Sequence, residues 1–162
     1  MNYCSQCGAT LEIKQIEGRD RAFCAQCQRI YYKRLKVGAG ALIEKDNTLL
    51  LFQRAYAPFQ GDWNIPAGYA EYDEHPAHTV IREVQEETGL RVQVAALQDI
   101  YLFTDDPRGN GLLIVYTCHI LSGELTESHE GGNFRFFSRH DLPNNLAGGG
   151  HNQAILAWKA RE

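Results

Sequence analysis

Four of the chain's five cysteines fall within its first 27 residues, as Cys4-x2-Cys7 and Cys24-x2-Cys27, while Cys118 stands alone far downstream. Two such pairs, separated by 16 residues, offer four thiolates as two knuckles around one tetrahedral ion, for which zinc is the expected occupant. Disulfides are the competing use of an even cysteine set. The start Met1-Asn2-Tyr3-Cys4 lacks the apolar stretch of a secretory signal, so a reducing compartment is expected, the cytosol or an organelle. A segment of about 30 residues buries too little surface to fold alone, so the ion supplies much of its stability. Within it Gly8 follows the first knuckle, Leu11, Ile13 and Ile16 read as strand, and Glu17-Gly18-Arg19-Asp20 reads as a turn. Phe23 and Ile30 are candidates for its interior. This is the pattern of a zinc ribbon over residues 1–34.

Charge divides along the same line. Residues 1–36 hold seven Lys/Arg against Glu12, Glu17 and Asp20, a balance of +4, and the remaining 126 hold nine basic and 17 acidic groups, a balance of −8. Such asymmetry predicts two modules, the ribbon and a second domain over residues 35–162. With 44% hydrophobic residues across 162 positions the chain can build a core, and no apolar run approaches the roughly 20 residues of a membrane helix. Disorder, collagen and coiled coil are excluded as overall descriptions.

In the second module, Val37 to Glu44 and Leu49 to Arg54 are apolar runs joined by the hairpin signal Lys45-Asp46-Asn47-Thr48. A Gly/Pro-punctuated stretch from Pro58 to Gly68 reads as loop. Residues 76–88 read as a helix with Pro76 in its first turn and Gly89 as its C-cap. Val92–Phe103, Leu112–Leu121 and Phe134–Ser138 read as strands, and Asn152 to Ala160 as a closing helix. Strands with two helices predict an α/β domain built on a mixed sheet.

The first of these helices is the most informative segment. Ala77, Val80, Ile81 and Val84 recur at helical spacing and predict a core-facing stripe. Glu83, Glu86 and Glu87 stand at i, i+3, i+4, so they are expected on a different, shared face. Like charges so placed repel, and a cation among them removes the repulsion; convergent carboxylates suit Mg²⁺ or Mn²⁺. Arg82, one turn before Glu86, can hold that side chain. Residues 68–90 carry six acids, Glu71, Asp73, Glu74, Glu83, Glu86 and Glu87, against Arg82 alone. Most of the second module's negative charge thus belongs to one candidate cation site. Four thiolates on Zn²⁺ would also lower the ribbon's positive charge. The charge split therefore points to two metal sites, one structural and one catalytic, rather than to a basic module that binds nucleic acid.

Gly68-x5-Glu74-x7-Arg82-Glu83-Val84-x-Glu86-Glu87-x-Gly89-Leu90 resembles the Nudix box at each of its nine fixed positions. The resemblance implies a Nudix α/β/α sandwich with a mixed sheet, here preceded by the ribbon. It also implies a pyrophosphohydrolase that cleaves a nucleoside diphosphate linked to another group. Carried over by position, Glu83 and Glu87 would be ligands of Mg²⁺ or Mn²⁺, Glu86 a ligand or the base, and Glu74 an outer ligand. Arg82 would orient them, and Gly68 would contribute through its backbone. The general base in many members is a glutamate on a later loop; Glu124, Glu127 and Glu130 are the candidates, with Glu130 preferred and Glu86 the alternative.

Zinc-ribbon members include NADH pyrophosphatases and a FAD/ADP-ribose pyrophosphatase group. The Ser-Gln-Pro-Trp-Pro-Phe-Pro-type array of the former is absent after the box, where the sequence reads Ala95-Ala96-Leu97-Gln98-Asp99-Ile100-Tyr101-Leu102-Phe103. The order of ribbon, linker and Gly61-Asp62-Trp63-Asn64-Ile65-Pro66-Ala67-Gly68-Tyr69 looks more like the latter. ADP-ribose or FAD is therefore the expected substrate, with nucleoside triphosphates, NADH and capped RNA as alternatives. Arg54 is a candidate for phosphate contact, and Tyr69, Tyr72, Phe59 and Phe103 for stacking on a ring. Cys118 reads as a small core residue, and His75 and His78 as helix surface. The resemblance also implies a homodimer.

Overall fold

The structure, a computed structural model, describes residues 2–161. The chain divides into two compact units, Met1–Arg34 and Leu35–Glu162. Among the described residues no helix is long and apolar enough to cross a membrane.

The first unit is a three-stranded antiparallel sheet in the order β1 (Glu12–Ile16), β2 (Arg19–Cys24), β3 (Arg29–Tyr31). Ile16 pairs with Arg19, so Glu17 and Gly18 form a two-residue turn, with φ of 53° and 73°. Positive φ at both positions matches the strand twist, which favours such tight connections. Ile13 is exposed, while Phe23 and Ile30, opposite each other on β2 and β3, are partly buried. The strands do little core-building. Burial concentrates on Cys4 and Cys24.

The second unit holds β4 (Lys36–Lys45), β5 (Thr48–Arg54), β6 (Trp63–Asn64), β7 (Ala67–Tyr69), α1 (Pro76–Thr88), β8 (Arg91–Phe103), β9 (Gly111–Ser122), β10 (Gly131–Ser138) and α2 (His151–Lys159). The sheet runs β10-β5-β4-β9-β8, with β6 on β5 and β7 on β4; β4 and β9 are parallel and the other pairs antiparallel. This is the mixed sheet anticipated. Strand β4 is buried on both faces, so its alternation divides the core in two. Ala39, Ala41 and Ile43 join Leu50, Val80 and Val84 under α1, whereas Leu42 joins Leu49, Leu51, Ala154, Ile155 and Trp158 under α2. The helices therefore cover opposite faces.

One edge of β4 pairs with β9 from Lys36 to Ile43. The other edge is shared. It takes β7 at Gly38 to Gly40, then the carbonyl of Pro66 at the Ala41 amide (2.9 Å), then β5 at Glu44 and Lys45. The stretch read as loop thus contains β6 and β7. Segments of two and three residues carry no alternation to betray them.

Helix α1 starts as expected at Pro76, but His75 is its N-cap and accepts a bond at Nδ1 from the Ala77 amide (3.2 Å). Gly89 ends it at φ 75°, with its amide on the Gln85 carbonyl. The buried stripe is Thr79, Val80, Glu83, Val84, Glu87 and Thr88. Ile81, expected in the core, is exposed, and two of the three grouped glutamates are buried instead, leaving Glu86 outside. The cause is β7, which packs beside α1 and covers the edge of the helix that carries Glu83 and Glu87.

Candidate functional sites: a thiolate cluster and a carboxylate-lined cavity

In the first unit the turn Gly8 amide to Cys4 carbonyl (2.9 Å) closes one knuckle, and the Cys27 amide on the Cys24 Sγ (3.4 Å) closes the other. The sulfurs of Cys4, Cys7, Cys24 and Cys27 all lie within 4.8 Å of one another, with Cys4–Cys27 at 3.9 Å and Cys7–Cys24 at 3.6 Å. A tetrahedron of sulfurs about 2.3 Å from a zinc ion has edges of about 3.8 Å, so the four fit that ion. The Tyr31 hydroxyl, 3.0 Å from the Cys4 Sγ, draws that thiol down to about 6. The Cys7 contact pushes the Cys27 thiol up to about 12. Thiols so close oppose one another's ionisation, and a shared cation relieves the conflict.

In the second unit the box residues assemble around Arg82. Its Nε and Nη2 donate to the two oxygens of Glu74 (3.0 and 2.9 Å), and Nη1 donates to Glu83 (2.7 Å) and Glu86 (3.2 Å). Nη2 also donates to the Tyr69 carbonyl (3.2 Å). Glu74 accepts further from the Thr79 hydroxyl and the Glu71 amide, and the Arg82 hydrogen bonds hold its carboxyl down to about 2. Glu87 is 2% exposed and accepts from the Ala67 amide at 2.8 Å. Burial pushes the Glu87 carboxyl well above the ordinary range, and it raises Glu83 too, against the pull of Arg82. Gly68 lies so close to Glu83 that a β-carbon there would overlap the carboxylate. Oxygen donors with a buried, under-neutralised carboxylate and a backbone cradle fit a hard divalent cation. Arg82 presently lies among three of the four acids as their counter-ion.

Of these residues, Glu83 and Gly68 reach the wall of a cavity of about 300 Å³. Glu83, Ala67, Gly68, Tyr69 and Glu71 line it, as do Arg54 at the end of β5 and Glu130 in the loop before β10. Arg54 is oriented by donating from Nε to the Pro58 carbonyl (3.1 Å), and the Glu130 carbonyl accepts from the Ala55 amide (2.9 Å). Phe59, Phe103, Leu113, Gly38, Gly148 and Gly149 supply apolar and backbone wall. Of the anticipated substrate contacts, Arg54, Tyr69, Phe59 and Phe103 meet here. Tyr72 does not: it sits in the turn before α1, fully exposed to solvent. Glu74, Glu86, Glu87 and Arg82 also lie off the cavity wall, Glu74 and Glu86 tied to Arg82 and Glu87 buried behind Ala67, whose amide it accepts from.

Three polar residues on the wall were not anticipated: Asp106, Arg108 and His151. Asp106 and Arg108 occupy the turn between β8 and β9, where charge reads as solvent-facing. His151 opens α2 directly after Gly148-Gly149-Gly150, and that glycine run was the available signal that backbone approaches something closely. Its Nδ1 is buried without a hydrogen-bond partner among the described residues, and burial, then the fields of Arg54 and Arg108, hold the imidazole down to about 3.

Comparison with known proteins agrees with this geometry. Residues 34–158 match the NUDIX domain family and residues 2–33 the family described as Nudix N-terminal, a zinc ribbon. The chain is 38% identical over 108 residues to an ADP-ribose pyrophosphatase of Methanocaldococcus jannaschii, covering 66% of this chain and 64% of that protein. It is 30% identical over 145 residues to the NAD-capped RNA hydrolase NudC of Pseudomonas aeruginosa, covering 87% of this chain and 49% of that one. The match thus spans less than two thirds of either relative's length. Among solved structures, a NUDIX hydrolase from Nitrosomonas europaea is similar with a TM-score of 0.78 and 29% identity, covering 99% of this chain and 92% of that one. The sequence family, the sheet with a helix on each face and the cysteine cluster agree, and the chain belongs to the NUDIX family, with the Nudix N-terminal zinc ribbon preceding its NUDIX domain.

Proposed function

We propose that the NUDIX domain is a metal-dependent pyrophosphohydrolase acting on a nucleoside diphosphate linked to a second group, with ADP-ribose or FAD as substrate. The products would be AMP and a second phosphate monoester. The observation that carries this reading is the meeting of Glu83, Gly68, Arg54 and Glu130 on one cavity wall system. Glu83 and Glu87 would hold Mg²⁺ or Mn²⁺, with Glu86, Glu74 and the Gly68 backbone in support. When bound, such an ion neutralises diphosphate charge and activates water.

Arg82 keeps Glu74, Glu83 and Glu86 gathered through its bonds to all three. Glu130 is the general base in this reading. It lines the cavity with Glu83, and its charge is felt at both Glu83 and Glu87, whereas Glu86 is mostly exposed and off the wall. Glu130 takes a proton from water as the water oxygen bonds to one phosphorus. The bond from that phosphorus to the bridging oxygen then breaks, and the second monoester leaves. Arg54 meets phosphate charge, and Tyr69, Phe59 and Phe103 offer faces to a ring.

The test is steady-state turnover of ADP-ribose and FAD with Mg²⁺ by wild type, Glu130→Gln and Glu86→Gln. Glu130→Gln should lose about 10²- to 10⁴-fold in kcat. Near-wild-type turnover by Glu130→Gln, with the loss falling on Glu86→Gln, would transfer the base to Glu86. Absence of wild-type turnover on both substrates would reject the substrate assignment. A second reading, NAD-capped RNA or NADH, is favoured by the longer match to NudC, which reaches 87% of the chain. Resolving products from NADH and capped RNA in the same panel separates the two.

A further inference from the structure

Asp106 is 5% exposed, and its carboxylate is committed to one partner. Arg108 donates to it from its backbone amide (2.8 Å), from Nε (3.0 and 3.2 Å) and from Nη2 (2.7 Å). Burying an ion pair seldom adds net stability, since desolvation offsets the attraction. What this pair does achieve is orientation. A long side chain in a surface turn would otherwise sample many rotamers, and here one carboxylate fixes the plane of the guanidinium. Among the described residues Nη1 and the outer hydrogen of Nη2 have no partner, and the Arg108 side chain is 44% exposed, so that edge is available. The guanidinium lies 5.7 Å from the centroid of Tyr69, and the Lys36 ammonium lies 5.3 Å from the same ring. Tyr69 follows Gly68 directly, and Arg108, Tyr69, Gly68 and Glu83 all line the one cavity.

We propose that Arg108 is a substrate-binding residue that donates to a phosphate oxygen of the diphosphate, and that Asp106 is its positioning residue. This rests on reading the cavity as a diphosphate site. A guanidinium presents paired donors that match phosphate oxygens, and a fixed one binds without a further ordering cost. An anion entering beside Gly68 would meet the free edge of Arg108, with the Lys36 ammonium, 5.3 Å from the Tyr69 ring, adding positive charge nearby.

The experiment compares wild type, Arg108→Lys, Asp106→Asn and Asp106→Glu, with ADP-ribose as substrate. α,β-Methylene-ADP and adenosine are the two competitive inhibitors, all with Mg²⁺. Arg108→Lys and Asp106→Asn should raise KM and the inhibition constant of methylene-ADP by about 10- to 100-fold, with kcat changed less than about 3-fold and adenosine inhibition unchanged. Asp106→Glu, which keeps the carboxylate, should recover part of the loss. An unchanged KM, or a lower melting temperature with unchanged KM, overturns the proposal in favour of a structural pair. Equal weakening of adenosine and methylene-ADP overturns it in favour of stacking on the base. Arg108 is half-exposed, so Arg108→Lys remains informative where Asp106→Asn does not fold. Absence of wild-type turnover refutes the reaction instead, and direct calorimetric binding of methylene-ADP to wild type and Arg108→Lys then decides the site separately.

Discussion

Glu83 carries its carboxylate into the space that a β-carbon on Gly68 would fill. The helix and the strand β7 therefore approach each other at a point where no side chain larger than hydrogen fits without moving the acid. Gly68→Ala should displace the Glu83 carboxylate, the end of a flexible side chain that can swing aside at a stability cost of about 1 kcal/mol or less, and cut turnover far more than stability. Thermal melts and Mg²⁺-dependent kinetics on the same preparation check this. Wild-type turnover in Gly68→Ala would show that the approach is not needed for catalysis.

Glu87 is the acid whose burial is most complete, and the Ala67 amide is its one hydrogen-bond donor among the described residues. Glu87→Gln keeps an acceptor for that amide and removes the buried charge. Turnover should fall on the order of 100-fold or more, because in the proposed site a metal ligand loses its charge. The melting temperature without added ion should stay level or rise, since an under-neutralised buried carboxylate is costly. A clear drop in that temperature would mean the carboxylate charge is already compensated in the ion-free fold.

The ribbon is predicted to depend on its ion. Cys24 is fully buried, and the Cys27 amide points at its sulfur. Cys24→Ser should release close to one equivalent of zinc per chain by elemental analysis. A low-temperature unfolding transition should accompany the release, because a unit of this size lacks the apolar core to replace the metal. Unchanged zinc content would refute the four-thiolate site.

His151 makes a prediction about acid. Its folded pKa is held down to about 3 by burial, then Arg54 and Arg108, whereas in the unfolded chain a histidine titrates near about 6.5. Between those values the unfolded chain takes up a proton that the folded one refuses. This residue therefore costs stability progressively as pH falls from about 6.5 towards 3, and has no such effect above 6.5. His151→Phe removes the proton uptake. Its melting temperature should gain on wild type as pH drops from 7.5 to 4.5, while the difference stays constant from 7.5 to 8.5. Parallel curves throughout would show that the folded imidazole is protonated like the unfolded one.

What could be read from the sequence was local. The cysteine knuckles and the Pro76 start and Gly89 stop of α1 each depend on residues within a few positions of one another, and the box on a fixed spacing along one 23-residue segment. Non-local packing escaped. Periodicity put Ile81 in the core and the three glutamates together, yet β7 decides which edge of α1 is covered, and it buries Glu83 and Glu87 while leaving Ile81 and Glu86 outside. β7 itself, three residues long, has no pattern to find. Asp106 and Arg108 lie in the turn between β8 and β9, and only the cavity shows what their pairing faces. Tyr72 looked like a ring-stacking residue through proximity to the box, but adjacency in sequence across a turn does not fix direction.

The shared edge of β4 has a mechanical consequence. Gly68 hangs from the same strand that anchors the β5 hairpin and the parallel β9, through the Gly38–Gly40 pairing and the Pro66–Ala41 bond. The floor of the cavity therefore cannot swing as a flap without unzipping the middle of the sheet. Any movement of the cavity wall must come instead from the connections between strands, which carry Phe59 and Glu130. The fold ties Gly68, with the Glu83 carboxylate against it, to the middle of the sheet and leaves adjustment to the connections between strands.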